Sequence, residues 1–162
     1  MAVTKVHLDF ETRSACDLKK AGAYVYSMHP TTEVICMSYK IGNGITKNIP
    51  MILLSEENKQ LDNLFYVTES TDLLSAIKNP DVMFVAHNAF FEQVIYLNVL
   101  VKRFGWPEIP ITRWRCTAAK ASACALPRSL EGVTNALGLS VQKDMDGRRL
   151  ILKYCKPRKT KD

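Results

Sequence analysis

The order in which strand-like and helix-like segments follow one another restricts the fold of this chain more than any other feature. Alternating residues rich in β-formers predict strands, and apolar residues at helical spacing predict helices. The predicted strands are residues 4–10, 33–41, 45–53, 82–86 and 111–116. The predicted helices lie near residues 18–26, 71–78, 89–104, 117–124, 129–137 and 145–154.

The first three strands come before most of the helices, and Gly42-Asn43-Gly44 predicts a hairpin between the second and the third. Strands and helices then alternate, which is typical of parallel strands joined by helices. We therefore expect an α/β fold, with a mixed sheet of about five strands and helices on both faces. A length of 162 residues suits one domain. We assign residues 1–155 to this domain and residues 156–162 to a basic tail or linker.

The formal net charge of +6 permits a polyanionic partner without requiring one. Basic residues are concentrated from Arg148 onward. This segment is either a solvated end of the chain or a segment that contacts phosphates.

The five cysteines are odd in number, and no two of them have the CxxC spacing of a zinc site. Free thiols in a reducing cytoplasm are the interpretation that fits best. No apolar run is long enough to cross a bilayer, so we expect no membrane partner.

Two acidic residues on the first predicted strand are the first candidates for chemistry. Asp9 and Glu11 are two positions apart, so their side chains point to the same face of the strand. Neighbouring carboxylates repel each other unless a cation neutralises them, and oxygen ligands of this kind suit Mg²⁺ or Mn²⁺. The alternative is a solvated acidic face at the end of a strand.

A third acidic residue follows the predicted strand 82–86. Glu92 falls in the first turn of the next helix, where the helix dipole favours a carboxylate and Asn88 could be the N-cap. Functional groups gather at the carboxyl ends of neighbouring strands in α/β sheets. Asp9, Glu11 and Glu92 could therefore hold a pair of metal ions about 3.5–4 Å apart.

Two segments resemble motifs of the DEDD (DnaQ-like) exonucleases. Leu8-Asp9-Phe10-Glu11-Thr12 resembles the first motif of this family, and His87-Asn88-Ala89-Phe90-Phe91-Glu92 resembles the second. The family usually has Asp at the position of Glu92. Further segments resemble the N-terminal exonuclease domains of bacteriophage-type DNA polymerases. They are Tyr24 to Thr32, Trp114 to Ala119, Leu126 to Glu131, Ala136 to Leu139, and Lys143 to Pro157.

This resemblance implies a ribonuclease H-like fold and a metal-dependent 3′–5′ exonuclease. Such a domain proofreads single-stranded DNA 3′ ends as part of a DNA polymerase, in the cytoplasm of the host cell if a phage encodes it. It implies that Asp9, Glu11 and Glu92 are the catalytic residues and the ligands of Mg²⁺ or Mn²⁺, with two ions in a complete site. The residues it assigns to substrate binding are Phe10, Thr12 and Asn88.

The sequence departs from the family at its third motif. There the family places a fourth carboxylate in a Tyr-x3-Asp or His-x4-Asp spacing, and this sequence has neither. We expect the chain to stop before that motif, with Asp144 and Asp146 as the nearest acids that could stand in. The alternative function is a catalytically incomplete module that binds nucleic acid or associates with a polymerase.

Overall fold

The computed structural model describes residues 3–51 and 70–140, together with Arg149 and Cys155. Five strands of this part form one sheet in the order β3-β2-β1-β4-β5. They are β1 Lys5–Arg13, β2 Glu33–Ile41, β3 Lys47–Pro50, β4 Met83–Ala86 and β5 Trp114–Cys116.

Both kinds of strand pairing occur in the sheet. Strand β2 runs antiparallel to β1 and to β3, whereas β4 runs parallel to β1 and to β5. The mixed sheet predicted from the sequence is therefore confirmed. The carboxyl ends of β1, β4 and β5 meet at one edge, which is where the sequence places the candidate residues.

The described helices flank this sheet. They are α1 Leu18–Met28, α2 Thr71–Lys78, α3 Phe90–Ile95, α4 Lys102–Phe104, α5 Thr117–Ala123 and α6 Leu130–Ala136. A π-helical segment, Tyr96–Val101, joins α3 to α4, so that the three form one continuous helix. None of the described helices has the length and apolarity that a membrane span requires.

The core forms between the sheet and the long helix. Val6, Leu8 and Phe10 alternate along β1 and are buried, as the period of two requires. Trp106 and Trp114 are both buried in this core. Their rings pack against Tyr96, with centroid distances of 6.4 and 6.3 Å.

Polar contacts fix α1 against the long helix. The buried amide of Asn98, in the π-helical segment, donates to Ser27 Oγ at 2.8 Å. The Arg103 guanidinium donates to backbone carbonyls at and beyond the end of α1. The accepting residues are Ser27, His29, Pro30 and Thr32.

Three local predictions differ from the structure. Strand β3 is shorter than 45–53, and residues Ile111–Arg113 form a 3₁₀ turn before β5 instead of extending it. The N-cap of α3 is Ala89, and Asn88 does not cap this helix. Asn88 instead has a φ of 68°, in the left-handed region, where the chain turns from β4 into α3.

Several other predictions concern residues outside the described part. They are the helix at 145–154, of which Arg149 alone is described, the stand-in acids Asp144 and Asp146, and the basic tail at 156–162. The five cysteines are free thiols, as expected.

Candidate active site

Asp9 and Glu11 lie near the carboxyl end of β1, on the face opposite the core. The parallel pairing of β1 with β4 aligns His7 with Val85, so both acids lie beyond the paired residues. The residues that alternate with these acids along β1, including Leu8 and Phe10, are buried. The two carboxylates therefore share one face of β1, as the spacing predicted.

Glu92 occupies a position of α3 that faces the core. Its side chain is 4% exposed, and it lies along the same helix as the buried residues Ala89, Ile95 and Val99. Spacings of three and four residues place these four on one side of the helix. Glu92 thus places a carboxyl group on a side of the helix where these other buried residues are apolar.

The electrostatic environment of Glu92 is unfavourable for a charge. Within the described part of the chain, its Oε2 atom is buried and has no hydrogen-bond partner. Burial raises the pKa of Glu92 to about 8, and the charges of Asp9 and Glu11 add to the rise. Asp9 and Glu11 are therefore close enough to Glu92 to act on it electrostatically.

The chemistry of these side chains fits a hard divalent cation, because all the donors are carboxylate oxygens. The unpartnered oxygen of Glu92 is an acceptor that a cation would satisfy. Within residues 3–51 and 70–140, however, no three His, Cys, Asp or Glu side chains are grouped closely enough to hold an ion. The donors fit a metal, but their present conformations do not assemble a coordination site.

A cleft of about 630 Å³ opens beside Asp9 and Glu11. Its lining comes from β1, from the end of β4, from α5 and from the start of α6. The lining residues are Asp9, Glu11, His87, Asn88, Ala118, Arg128, Ser129 and Leu130. The shape and the acidic content of this cleft make it the candidate active site.

The three residues predicted to bind substrate differ in accessibility. The Asn88 side chain lines the cleft, whereas Phe10 and Thr12 are buried at 4% and 6% exposure. Thr12 Oγ1 forms a hydrogen bond with the Tyr26 hydroxyl at 2.9 Å. A second cavity, of about 400 Å³, has Phe10, Glu11 and Thr12 among its lining residues. Glu11 therefore lines both openings.

His87 and Arg128 have no role predicted from the sequence, although both lie in segments that carry the resemblance. The imidazole of His87 donates from Nε2 to the Arg128 carbonyl at 2.9 Å, and its Nδ1 lies 3.0 Å from Thr117 Oγ1. No local pattern marks either residue, because the contact joins positions 41 residues apart.

Both the sequence and the fold of this chain are similar to those of known proteins. No family model matches the sequence. A DNA polymerase of Bacillus phage SP02 is 36% identical over 155 residues, which make up 94% of this chain and 21% of the polymerase. The chain thus spans about a fifth of that relative's length.

Solved structures share the fold at low sequence identity. Brucella melitensis NrnC with bound Mg²⁺ has a TM-score of 0.52 and 14% identity, covering 87% of this chain and 56% of NrnC. Exonuclease I has a TM-score of 0.51 and 12% identity, and the match covers 86% of this chain and 36% of the exonuclease I chain. The chain therefore has a ribonuclease H-like fold, which it shares with NrnC and exonuclease I, and its sequence is similar to part of a phage DNA polymerase, as its motifs predicted.

Proposed function

We propose that this chain is a metal-dependent 3′–5′ exonuclease domain of a DNA polymerase, which removes nucleotides from single-stranded DNA ends during proofreading. Residues 1–155 would form this domain, and residues 156–162 would form a basic linker. The observation that carries the proposal is the buried carboxyl group of Glu92 beside Asp9 and Glu11. A buried carboxyl group with an unpartnered oxygen is costly to stability, so its presence within electrostatic reach of two cleft acids is a sign of function.

Asp9, Glu11 and Glu92 would be the metal ligands. Mg²⁺ is bound in the NrnC structure, which supports Mg²⁺ or Mn²⁺ here. When bound, a pair of such ions supplies a hydroxide nucleophile and stabilises the leaving 3′ oxygen. Because Glu92 has a pKa of about 8, it is largely protonated at neutral pH before a cation binds. It would release its proton as it becomes a ligand.

The other candidate residues would bind and orient the strand. The Asn88 amide lines the cleft next to the acids and would form hydrogen bonds with the terminal nucleotide. Phe10 and Thr12 have buried side chains, so the backbone of this part of β1 would lie beside the terminal base. The buried faces of β1 and α3 exclude water from Glu92, which strengthens electrostatic interactions there.

A second candidate function is a module that binds nucleic acid without cleaving it. It is favoured because the described residues hold no assembled group of three ligands. The family's fourth carboxylate also has no match in spacing anywhere in the sequence. This function predicts binding of single strands with no metal-dependent digestion.

A digestion assay separates the two functions. The substrates are a 5′-labelled linear single strand and a circular single strand, each with Mg²⁺ or Mn²⁺. We expect the linear strand to shorten stepwise from its 3′ end and the circle to resist, since an exonuclease needs an end. Asp9→Asn should lower the rate by about 10²-fold or more.

Asp81→Asn is the matched control, because it removes an exposed carboxylate outside the cleft. It should digest at the wild-type rate. Cleavage of the circle, or an Asp9→Asn rate equal to wild type, would refute the exonuclease. Binding without digestion under every metal condition would favour the second function.

A further inference from the structure

We propose that Arg128 binds a phosphate of the strand in the cleft, and that His87 positions Arg128 there. The inference rests on the proposed function, because it assumes that a nucleic-acid strand enters this cleft. It adds a substrate-binding residue that lies outside the acidic motifs.

The contacts of Arg128 differ from those of two other arginines. The guanidinium groups of Arg103 and Arg113 are each bound by four backbone carbonyls, which gives them a structural role. Arg128 makes one side-chain hydrogen bond within the described residues, at 3.5 Å to Asn88 Oδ1. With respect to the described residues, most of its N–H donors are therefore available to a ligand.

The surroundings of Arg128 indicate which ligand would suit it. It is the only Lys or Arg among the described residues that line the cleft, and Asp9 and Glu11 line the same cleft. It nevertheless forms no ion pair with a described carboxylate. A phosphate would fit between them, held by metal ions on the acidic side and by the guanidinium on the other. Arginine donates two parallel hydrogen bonds to phosphate, which makes it well suited to this role.

The segment that carries Arg128 is anchored on both sides. His87 Nε2–H donates to the Arg128 carbonyl at 2.9 Å. Ser129 is the N-cap of α6, and its Oγ accepts from the Gly132 N–H at 3.1 Å. A Cβ at position 132 would come within 2.7 Å of Pro127 Cβ, so glycine permits this close packing.

His87 connects three parts of the cleft. It follows β4, its Nδ1 lies 3.0 Å from Thr117 Oγ1 in the first turn of α5, and its Nε2 holds the segment before α6. Removing the imidazole would release the Arg128 carbonyl without touching the guanidinium. His87 is therefore a positioning residue that acts through Arg128.

Arg128→Gln tests the phosphate contact. Arg128→Lys tests whether this contact needs the forked geometry of the guanidinium group. Binding of a fluorescent oligothymidylate is measured by anisotropy in EDTA over a series of salt concentrations. KM and kcat are measured with Mg²⁺ on the same strand. Lys120→Gln is the control, since it removes one exposed positive charge from α5 outside the cleft lining.

We expect Arg128→Gln to raise Kd and KM by roughly tenfold or more, because a hydrogen bond between charged groups is lost. The slope of log affinity against log salt should fall by about 0.7, the value for one phosphate contact on a single strand. The change in kcat should be smaller than the change in KM, since the contact is made equally before and during the reaction. The change in Tm should also be small. Arg128→Lys should be intermediate, and Lys120→Gln should match wild type.

The role of His87 is tested by a double-mutant cycle. His87→Ala should raise KM in the wild type and add nothing further in the Arg128→Gln background. Additive effects of the two changes would overturn the positioning role. An unchanged Tm for each variant would exclude loss of fold as the cause.

The outcomes separate this inference from the proposed function. If the wild type digests the strand while Arg128→Gln keeps its KM and salt slope, the phosphate contact is wrong and the exonuclease stands. If the wild type binds without digesting and Arg128→Gln weakens that binding, the contact stands and the exonuclease fails. A wild type that neither binds nor digests the strand would overturn both.

Discussion

Glu92 at the start of α3 is buried within electrostatic reach of Asp9 on β1, and burial together with the Asp9 charge raises its pKa to about 8. A carboxyl group in this position is stable in its protonated form when no cation is bound. The pH at which the domain is most stable and the pH at which it binds metal best should therefore differ.

The metal-free domain should lose stability as the pH rises. The folded pKa of Glu92 lies above the ordinary value of 4.5, so the folded state holds a proton that the unfolded state releases between about pH 4.5 and 8. The stabilisation that this proton contributes is fully present below about pH 4.5 and is lost as the pH rises to about 8. We expect the free energy of unfolding of the wild type to fall by roughly 2–5 kcal/mol relative to Glu92→Gln, as urea titrations in EDTA would measure.

The difference between the two proteins is the informative quantity, because other groups titrate over the same range. Glu92→Gln should be the more stable protein at pH 8.5, and the two should converge near pH 5. Parallel pH profiles for the two proteins would contradict the buried, unpartnered state of this acid.

Divalent cations should reverse this destabilisation. Binding to the folded state alone raises its stability, by about 2.7 kcal/mol at a concentration of 100 times Kd. Protons compete with metal for Glu92, so millimolar Mn²⁺ should raise Tm more at pH 8.5 than at pH 6. Calorimetry or a thermal dye assay would measure both shifts.

The response to metal should depend on the acids of the cleft. Asp9→Asn and Glu92→Gln should each lose most of the Tm increase, whereas the exposed Asp81→Asn control should keep it. A Glu92→Gln variant with the full wild-type increase would show that Glu92 is not a ligand.

The Arg103 guanidinium should contribute to stability rather than to catalysis. Its four carbonyl partners follow one another around the end of α1, and no carboxylate or cleft residue is among them. Arg103→Gln should cost about 2–4 kcal/mol, because the partly buried carbonyls lose their donors. Urea unfolding would measure this loss, and kcat at low temperature should be nearly unchanged.

Arg103→Lys should recover only part of this stability, since an ammonium group cannot reach four carbonyls as a planar fork can. Arg115→Gln is a suitable control, because among the described residues that exposed guanidinium binds only the nearby carbonyls of Thr112 and Trp114. Equal losses for Arg103→Gln and Arg115→Gln would contradict the role assigned to Arg103.

Elements that depend on local periodicity could be predicted from the order of residues. Strand β2 was predicted with its observed bounds, and helix α2 likewise, because each lies within one uninterrupted pattern. The spacing of Asp9 and Glu11 also placed both acids on one face, since a period of two holds wherever the backbone is extended. The resemblance of two motifs to those of the DEDD exonucleases then indicated Glu92 as a candidate site residue.

Contacts between distant segments could not be predicted from local patterns and become visible in the folded chain. Glu92 is buried because the long helix crosses the sheet with that side inward, and helical periodicity does not specify which side faces a partner. The shortness of β5 has a similar cause: Arg113 turns away from the strand, and its guanidinium binds carbonyls from residues 76–82. Arg128 lines the cleft, and its carbonyl accepts a hydrogen bond from His87, which is 41 residues away. Such contacts depend on the packing of whole elements, which a pattern of neighbouring residues does not contain.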